Sequence, residues 1–82
     1  MTAAAPTIGI IGLGTMGLGI AQVYAAAGFP VIATDAHAPA RETARARMAD
    51  ALNARFAAGK LSEAAREATL SHLTIAETLA DF

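Results

Sequence analysis

Residues 7 to 35 read TIGIIGLGTMGLGIAQVYAAAGFPVIATD. An apolar run (Ile8, Ile10, Ile11) gives way to a turn with glycines at Gly12, Gly14 and Gly17, a helix-compatible stretch follows, and a β-branched pair (Val31, Ile32) leads to Asp35. Strand, glycine-rich turn, helix, second strand and terminal acid is the order of a dinucleotide-binding unit. The glycines keep the G-x-G-x-x-G spacing. Asp35 stands eighteen residues beyond Gly17, where that fingerprint places an acid for the ribose.

A pyrophosphate is an anion, and the first turn of a helix offers unpaired N–H groups and the positive end of a dipole to receive it. The chain must then bring bare backbone close to the phosphates. Gly12 permits a tight turn out of the strand, Gly14 carries no Cβ to hold the ligand away, and Gly17 lets the helix lie against the sheet. The expected donors are the amides of Leu13, Thr15 and Met16, with the Thr15 hydroxyl as an extra contact. The bland alternative is a set of packing glycines in a close helix–strand contact, and Gly19 and Gly28 are read that way. Gly28 also has the position of a helix stop, followed by Pro30.

At the end of a second strand, the Asp35 carboxylate can accept both hydroxyls of an adenosine ribose, and it would repel a 2′-phosphate. The expected cofactor is therefore NAD rather than NADP. The alternative for Asp35 is an ordinary turn aspartate. His37 and Arg41 follow closely and are read as an exposed loop histidine and a solvated helix arginine.

From Ala38 onward the pattern is helical, with Pro39 suited to a first turn. Ala44, Met48, Leu52 and Phe56 recur every fourth residue and form an apolar core stripe, while Arg41, Glu42, Arg45 and Arg55 face elsewhere. Gly59 ends this helix, Ser62 caps a shorter one reaching about His72, and Leu73 to Ile75 make a short strand. The fold class is thus α/β, strand-helix-strand-helical hairpin-strand. That is the N-terminal half of a Rossmann-type doubly wound parallel sheet, with the first and third strands at opposite edges. The cofactor crevice of such a sheet lies between the first strand and a further strand on its other side. Residues 1–82 therefore read as a partial dinucleotide-binding domain.

Eighty-two residues suffice for one small domain, and 55% hydrophobic content with 16% charged residues is globular rather than disordered. The net charge of −1 comes without any basic stripe carrying aromatics, so nucleic acid is not an expected partner. The chain has no cysteine, which removes disulfides, thiolate catalysis and cysteine metal sites, and fits a reducing, cytoplasmic setting. No metal site is expected. The first 34 residues are uncharged, but glycines and Pro30 interrupt them and no Lys or Arg precedes Arg41. Buried parallel strands, covered on both faces, explain that lack of charge better than a membrane span or signal peptide.

IGLGTMGLGIAQ at residues 11–22, the Asp35 ending and ALNARFAAGKLSEAA at residues 51–65 resemble the N-terminal NAD-binding domain of the 3-hydroxyacyl-CoA dehydrogenase family. Hydroxyisobutyrate and 6-phosphogluconate dehydrogenases share the G-L-G-x-M-G opening. They do not usually carry a long helical hairpin after the second strand, and here the hairpin with its G-K-L-S turn at residues 59–62 decides against them. The resemblance implies an oxidoreductase of fatty-acid metabolism, active in β-oxidation, that oxidises the 3-hydroxyl of an acyl-CoA by passing the hydride of its carbon to NAD. Gly12, Gly14, Gly17 and Asp35 would bind NAD, and Lys60 becomes a candidate contact for a CoA phosphate. On residue type alone, Lys60 is a solvated loop lysine. A serine that touches CoA in some members corresponds here to Ala51, which has no hydroxyl to offer.

The family's base is a histidine in an H-F-x-N-P motif, oriented by a glutamate. Neither His37 nor His72 matches it, and both read as surface residues. No catalytic residue is expected within the chain, and these 82 residues alone should not turn over acyl-CoA. The competing expectation is a free-standing, non-catalytic module that binds NAD or completes a partner's sheet. In either case the exposed first strand should favour self-association through the sheet edge.

Overall fold

A computed structural model of the chain describes residues 6–78. Strand β1 (Ile8–Ile11) leads through the glycine turn into helix α1 (Thr15–Ala26), then strand β2 (Val31–Thr34), the hairpin of α2 (Ala38–Ala57) and α3 (Glu63–Ser71), and strand β3 (Leu73–Ile75). The three strands are parallel in the order β1-β2-β3, with Ile8 opposite Val31 and Val31 opposite Leu73. The first and third strands stand at opposite edges, an order compatible with right-handed crossovers.

Local chemistry sets the boundaries. Gly28, with φ of +97°, follows the last turn of α1, and Gly59, with φ of +75°, follows α2; both conformations are strained for a residue with a Cβ. Ser62 caps α3, its Oγ accepting from the Ala65 N–H at 3.1 Å. The Thr34 hydroxyl donates to the Ala76 carbonyl at 2.6 Å and holds the exit of β3 against β2.

The core lies between the helices and one face of the sheet. Leu13, Leu18, Ala21, Ala25, Val31, Ala33, Ala44, Met48, Leu52 and Leu73 form one buried cluster, packed around by Ile8, Ile10 and Ile75. With a period of two along each strand, Ile8, Val31 and Leu73 share one face with Ile10, Ala33 and Ile75. On the opposite face Gly9 and Thr74 are exposed and Ile11 is 70% exposed. The expectation that the strands are covered on both faces is therefore corrected. Among the described residues the helices cover one face, and Cα extents of 39 × 37 × 16 Å are those of two layers.

Two packing expectations also change. Ala44, Met48 and Leu52 are buried, but Phe56 is 40% exposed, because the last turn of α2 runs beyond the sheet. Its ring lies instead under the Arg66 guanidinium, 4.6 Å from the ring centroid. Gly19 is no packing glycine either. It sits on the exposed side of α1, and a Cβ there would meet nothing within 4 Å.

Candidate functional site

The glycine turn is built by contacts that leave little freedom. Gly12 adopts φ of +109°, and its N–H extends the ladder to the Thr34 carbonyl at 2.8 Å. A Cβ on Gly17 would lie 1.9 Å from the Gly12 carbonyl oxygen, so only glycine lets α1 start this close to the end of β1. Gly14 differs. Its φ is −69°, and an added Cβ would meet nothing within 4 Å. The space in front of Gly14 is open, as the approach of a ligand to bare backbone requires.

Helix α1 starts at Gly14 with no side-chain cap and no acidic residue in its first turn. Its leading N–H groups, at Thr15, Met16 and Gly17, therefore have no intrahelical partner. Thr15 and Met16 are exposed, and the Thr15 hydroxyl has no hydrogen-bond partner among the described residues.

Leu13 departs from its expected role as a phosphate donor. Its side chain is fully buried, and its N–H donates to Asp35 Oδ2 at 2.7 Å. The positive φ of Gly12 turns that amide toward the end of β2. The His37 N–H donates to the other oxygen, Oδ1, at 2.8 Å. The amide of Leu13 first, and then that of His37, hold the Asp35 carboxyl below the usual carboxylate range; desolvation opposes them, and the charges of His37 and Arg41 add smaller contributions in the same direction as the amides. A carboxylate offers about four acceptor positions, so about two remain for a ligand's hydroxyls.

Arg41 is not the freely solvated residue expected. Its Nη1 donates to the Asp35 carbonyl at 2.7 Å, tying the first turns of α2 to the end of β2. Arg45 similarly donates to the carbonyls of Leu70, at 3.0 Å, and Leu73. Arg47, which no motif singled out, reaches the glycine turn: its Nη2 donates to the carbonyls of Leu13 (2.8 Å) and Ala40 (3.0 Å), and its Nε to Thr43 Oγ1 (3.1 Å). Its only advance sign was an arginine one turn after Thr43 on a helix starting near Asp35.

Three grooves meet at this turn. One of about 360 Å³ is lined by Gly14, Thr15, His37, Thr43 and Arg47 among others. A second, about 330 Å³, runs between α1 and α2 past Gln22, Arg47 and Ala51. A third, about 130 Å³, lies beyond the strand ends between Ile11, Asp35 and Glu77. A shallow apolar trough of about 510 Å³ along Met16, Ile20, Val23 and Tyr24 does not include Asp35.

Lys60 lies apart from these residues. It is exposed in the turn after α2, its N–H donating to the Arg55 carbonyl at 2.9 Å. The twenty residues of α2 separate it from His37 by about 30 Å. His37 is exposed as expected. His72 is half-buried, with Nδ1 enclosed and unpaired among the described residues, because it closes α3 where the chain enters the sheet. Neither imidazole is hydrogen-bonded to a carboxylate there. Among the described residues no His, Asp or Glu cluster could hold a metal, and no helix is long and apolar enough to cross a membrane.

Residues 7–82 match the family described as 3-hydroxyacyl-CoA dehydrogenase, NAD binding domain. A 3-hydroxybutyryl-CoA dehydrogenase of Bradyrhizobium diazoefficiens is 36% identical over 81 residues, covering 99% of this chain and 28% of its own length. The crystal structure of 3-hydroxybutyryl-CoA dehydrogenase from Escherichia coli superposes with a TM-score of 0.87 at 35% identity, over 96% of this chain and 17% of that one. The (S)-3-hydroxybutyryl-CoA dehydrogenase of Ralstonia eutropha gives 0.86 at 33% identity, over 95% and 28%. The chain thus spans less than a third of the length of these relatives. It belongs to the 3-hydroxyacyl-CoA dehydrogenase NAD-binding domain family, and the cofactor of that family is NAD.

Proposed function

We propose that this member of the family supplies the first part of the NAD site of a longer oxidoreductase acting on a 3-hydroxyacyl-CoA. The observation that carries the assignment is the Asp35 carboxylate, held by the Leu13 and His37 amides beside an uncapped helix N-terminus. Asp35 takes the ribose hydroxyls of the adenosine half. The amides of Gly14, Thr15 and Met16, with the Thr15 hydroxyl, face the pyrophosphate, and Gly12 and Gly17 shape the turn. When bound, the nicotinamide would accept the hydride from the substrate carbon that carries the 3-hydroxyl. The chain's own part is to bind and orient the cofactor.

The acyl-CoA substrate, the place in β-oxidation and the cytoplasmic setting belong to the same proposal. So does Lys60 as a contact for a CoA phosphate, which rests on the family resemblance alone. Equilibrium binding of NAD and NADP to the purified chain tests the assignment. NAD should bind at least about tenfold more tightly, since a 2′-phosphate would meet the Asp35 charge. Equal affinities would refute it.

Among the described residues the outer edge of β1 is unpaired and one sheet face is uncovered, which supports a second element of the proposal, that further polypeptide completes this domain. Ile11 (70% exposed), Met16 (80%) and Val23 (68%) give an uncharged apolar surface flanking that edge. In the isolated chain a second copy takes that place, pairing edge to edge.

A further inference from the structure

Leu13 is pinned at both ends of its backbone. Its N–H is bound by Asp35 Oδ2 at 2.7 Å and its carbonyl by Arg47 Nη2 at 2.8 Å. A trans peptide points its C=O and the next N–H in opposite directions. With the Leu13 carbonyl drawn toward α2, the Gly14 N–H is directed away from α2, and it has no partner among the described residues. Arg47 is itself held, because the same Nη2 reaches the Ala40 carbonyl at 3.0 Å while Nε reaches Thr43 Oγ1 at 3.1 Å. Thr43 in turn donates to the Pro39 carbonyl at 2.8 Å.

We propose that Arg47 is a positioning residue for the dinucleotide turn: it sets the Leu13–Gly14 peptide so that the Gly14 N–H is presented to the pyrophosphate before any ligand arrives. The inference rests on the NAD assignment above and adds to it the residue that preorganises the turn. Its physical basis is that a donor fixed in advance loses no ordering entropy on binding, whereas a peptide free to rotate does. The guanidinium suits this task because its planar fork spans two carbonyls and a hydroxyl at once, which an ammonium on a flexible stem does not.

The test compares ligands that contain the phosphates with one that lacks them. Wild-type protein, R47M and R47K, each ¹⁵N-labelled and checked for an unchanged fold by amide dispersion, are titrated with adenosine, ADP and NAD. Binding of ADP by the wild type tests the dinucleotide reading itself, and the variants test Arg47. In R47M the adenosine affinity, governed by Asp35, should stay within about twofold, while ADP and NAD weaken about tenfold. The Leu13 and Gly14 amide signals should also move in ligand-free R47M. R47K should recover little of the loss. Equal weakening of adenosine and ADP, unchanged ADP affinity, or full recovery by R47K would overturn the proposal, the last because it would make charge rather than geometry the cause. If R47M does not fold, R47K decides alone: retained adenosine binding with weakened ADP supports the proposal, and any other result counts against it.

Discussion

The backbone N–H of Leu13 donates to Oδ2 of Asp35 across 2.7 Å, joining the glycine turn after β1 to the acid at the end of β2. The two halves of the fingerprint, twenty-two residues apart in the chain, are one hydrogen-bonded unit. The carboxylate is oriented by the backbone and needs no ligand to order it. A hydroxyl arriving at Asp35 therefore meets an acceptor already in place.

Replacing Asp35 tests that unit. In D35N one of the two oxygens becomes an amide donor, which cannot accept from both the Leu13 and His37 N–H groups and repels a ribose hydroxyl acting as donor. Calorimetry or NMR titration should show NAD binding weakened about tenfold to hundredfold, the range expected for hydrogen bonds to a charged group. Discrimination against NADP should fall at the same time.

Gly14 and Gly17 should fail in different ways. A methyl group on Gly17 would overlap the Gly12 carbonyl oxygen at 1.9 Å, so G17A must displace α1 and should lose about 3 kcal/mol or more of stability. In a domain this small that is enough to abolish a cooperative melting transition. G14A meets nothing within 4 Å and has a permitted φ, so its melting temperature should stay near wild type while NAD binding is lost. Thermal denaturation followed by circular dichroism separates the two.

Acid should expose the depressed pKa of Asp35. The native carboxyl titrates below the ordinary 3.8 of aspartate, the Leu13 amide being the largest cause. The stabilisation from the ionised form is present above the unfolded value and is lost as pH falls through the lower native one. NAD affinity should therefore hold down to about pH 4 and decline only below it, and D35N should lack that decline. A fall in wild-type affinity centred well above pH 4 would point to another group.

The pattern of residues 7–35 was enough for the first strand–helix–strand unit, because its signals are local. β-branched runs, an uncapped glycine turn and a Gly-Phe-Pro stop act within a few residues of themselves. The boundaries of the hairpin were legible for the same reason, through Pro39, Gly59 and Ser62. What could not be read depends on neighbours distant in the chain. Arg47 matters because α2 passes beside Leu13, Phe56 is exposed because α2 outruns the sheet, and His72 is half-buried because α3 ends against β2. Whether the Leu13 amide serves the ligand or Asp35 likewise depends on the turn geometry set by Gly12.

The apolar face of α1 predicts association. Sedimentation of the wild-type chain should show concentration-dependent dimers, and V23D, which changes a residue 68% exposed, should be monomeric with its fold retained. A wild-type chain that stays monomeric at millimolar concentration would contradict completion by a second copy.

Titrating the ¹⁵N-labelled chain with NAD while following every backbone amide tests the dinucleotide site itself. Saturable shifts should concentrate at Gly14, Thr15, Met16 and Asp35, with NADP needing at least about tenfold more ligand to reach the same shifts. Saturable shifts confined to residues away from the turn, or none at these four with NAD in large excess, would refute NAD binding at this turn.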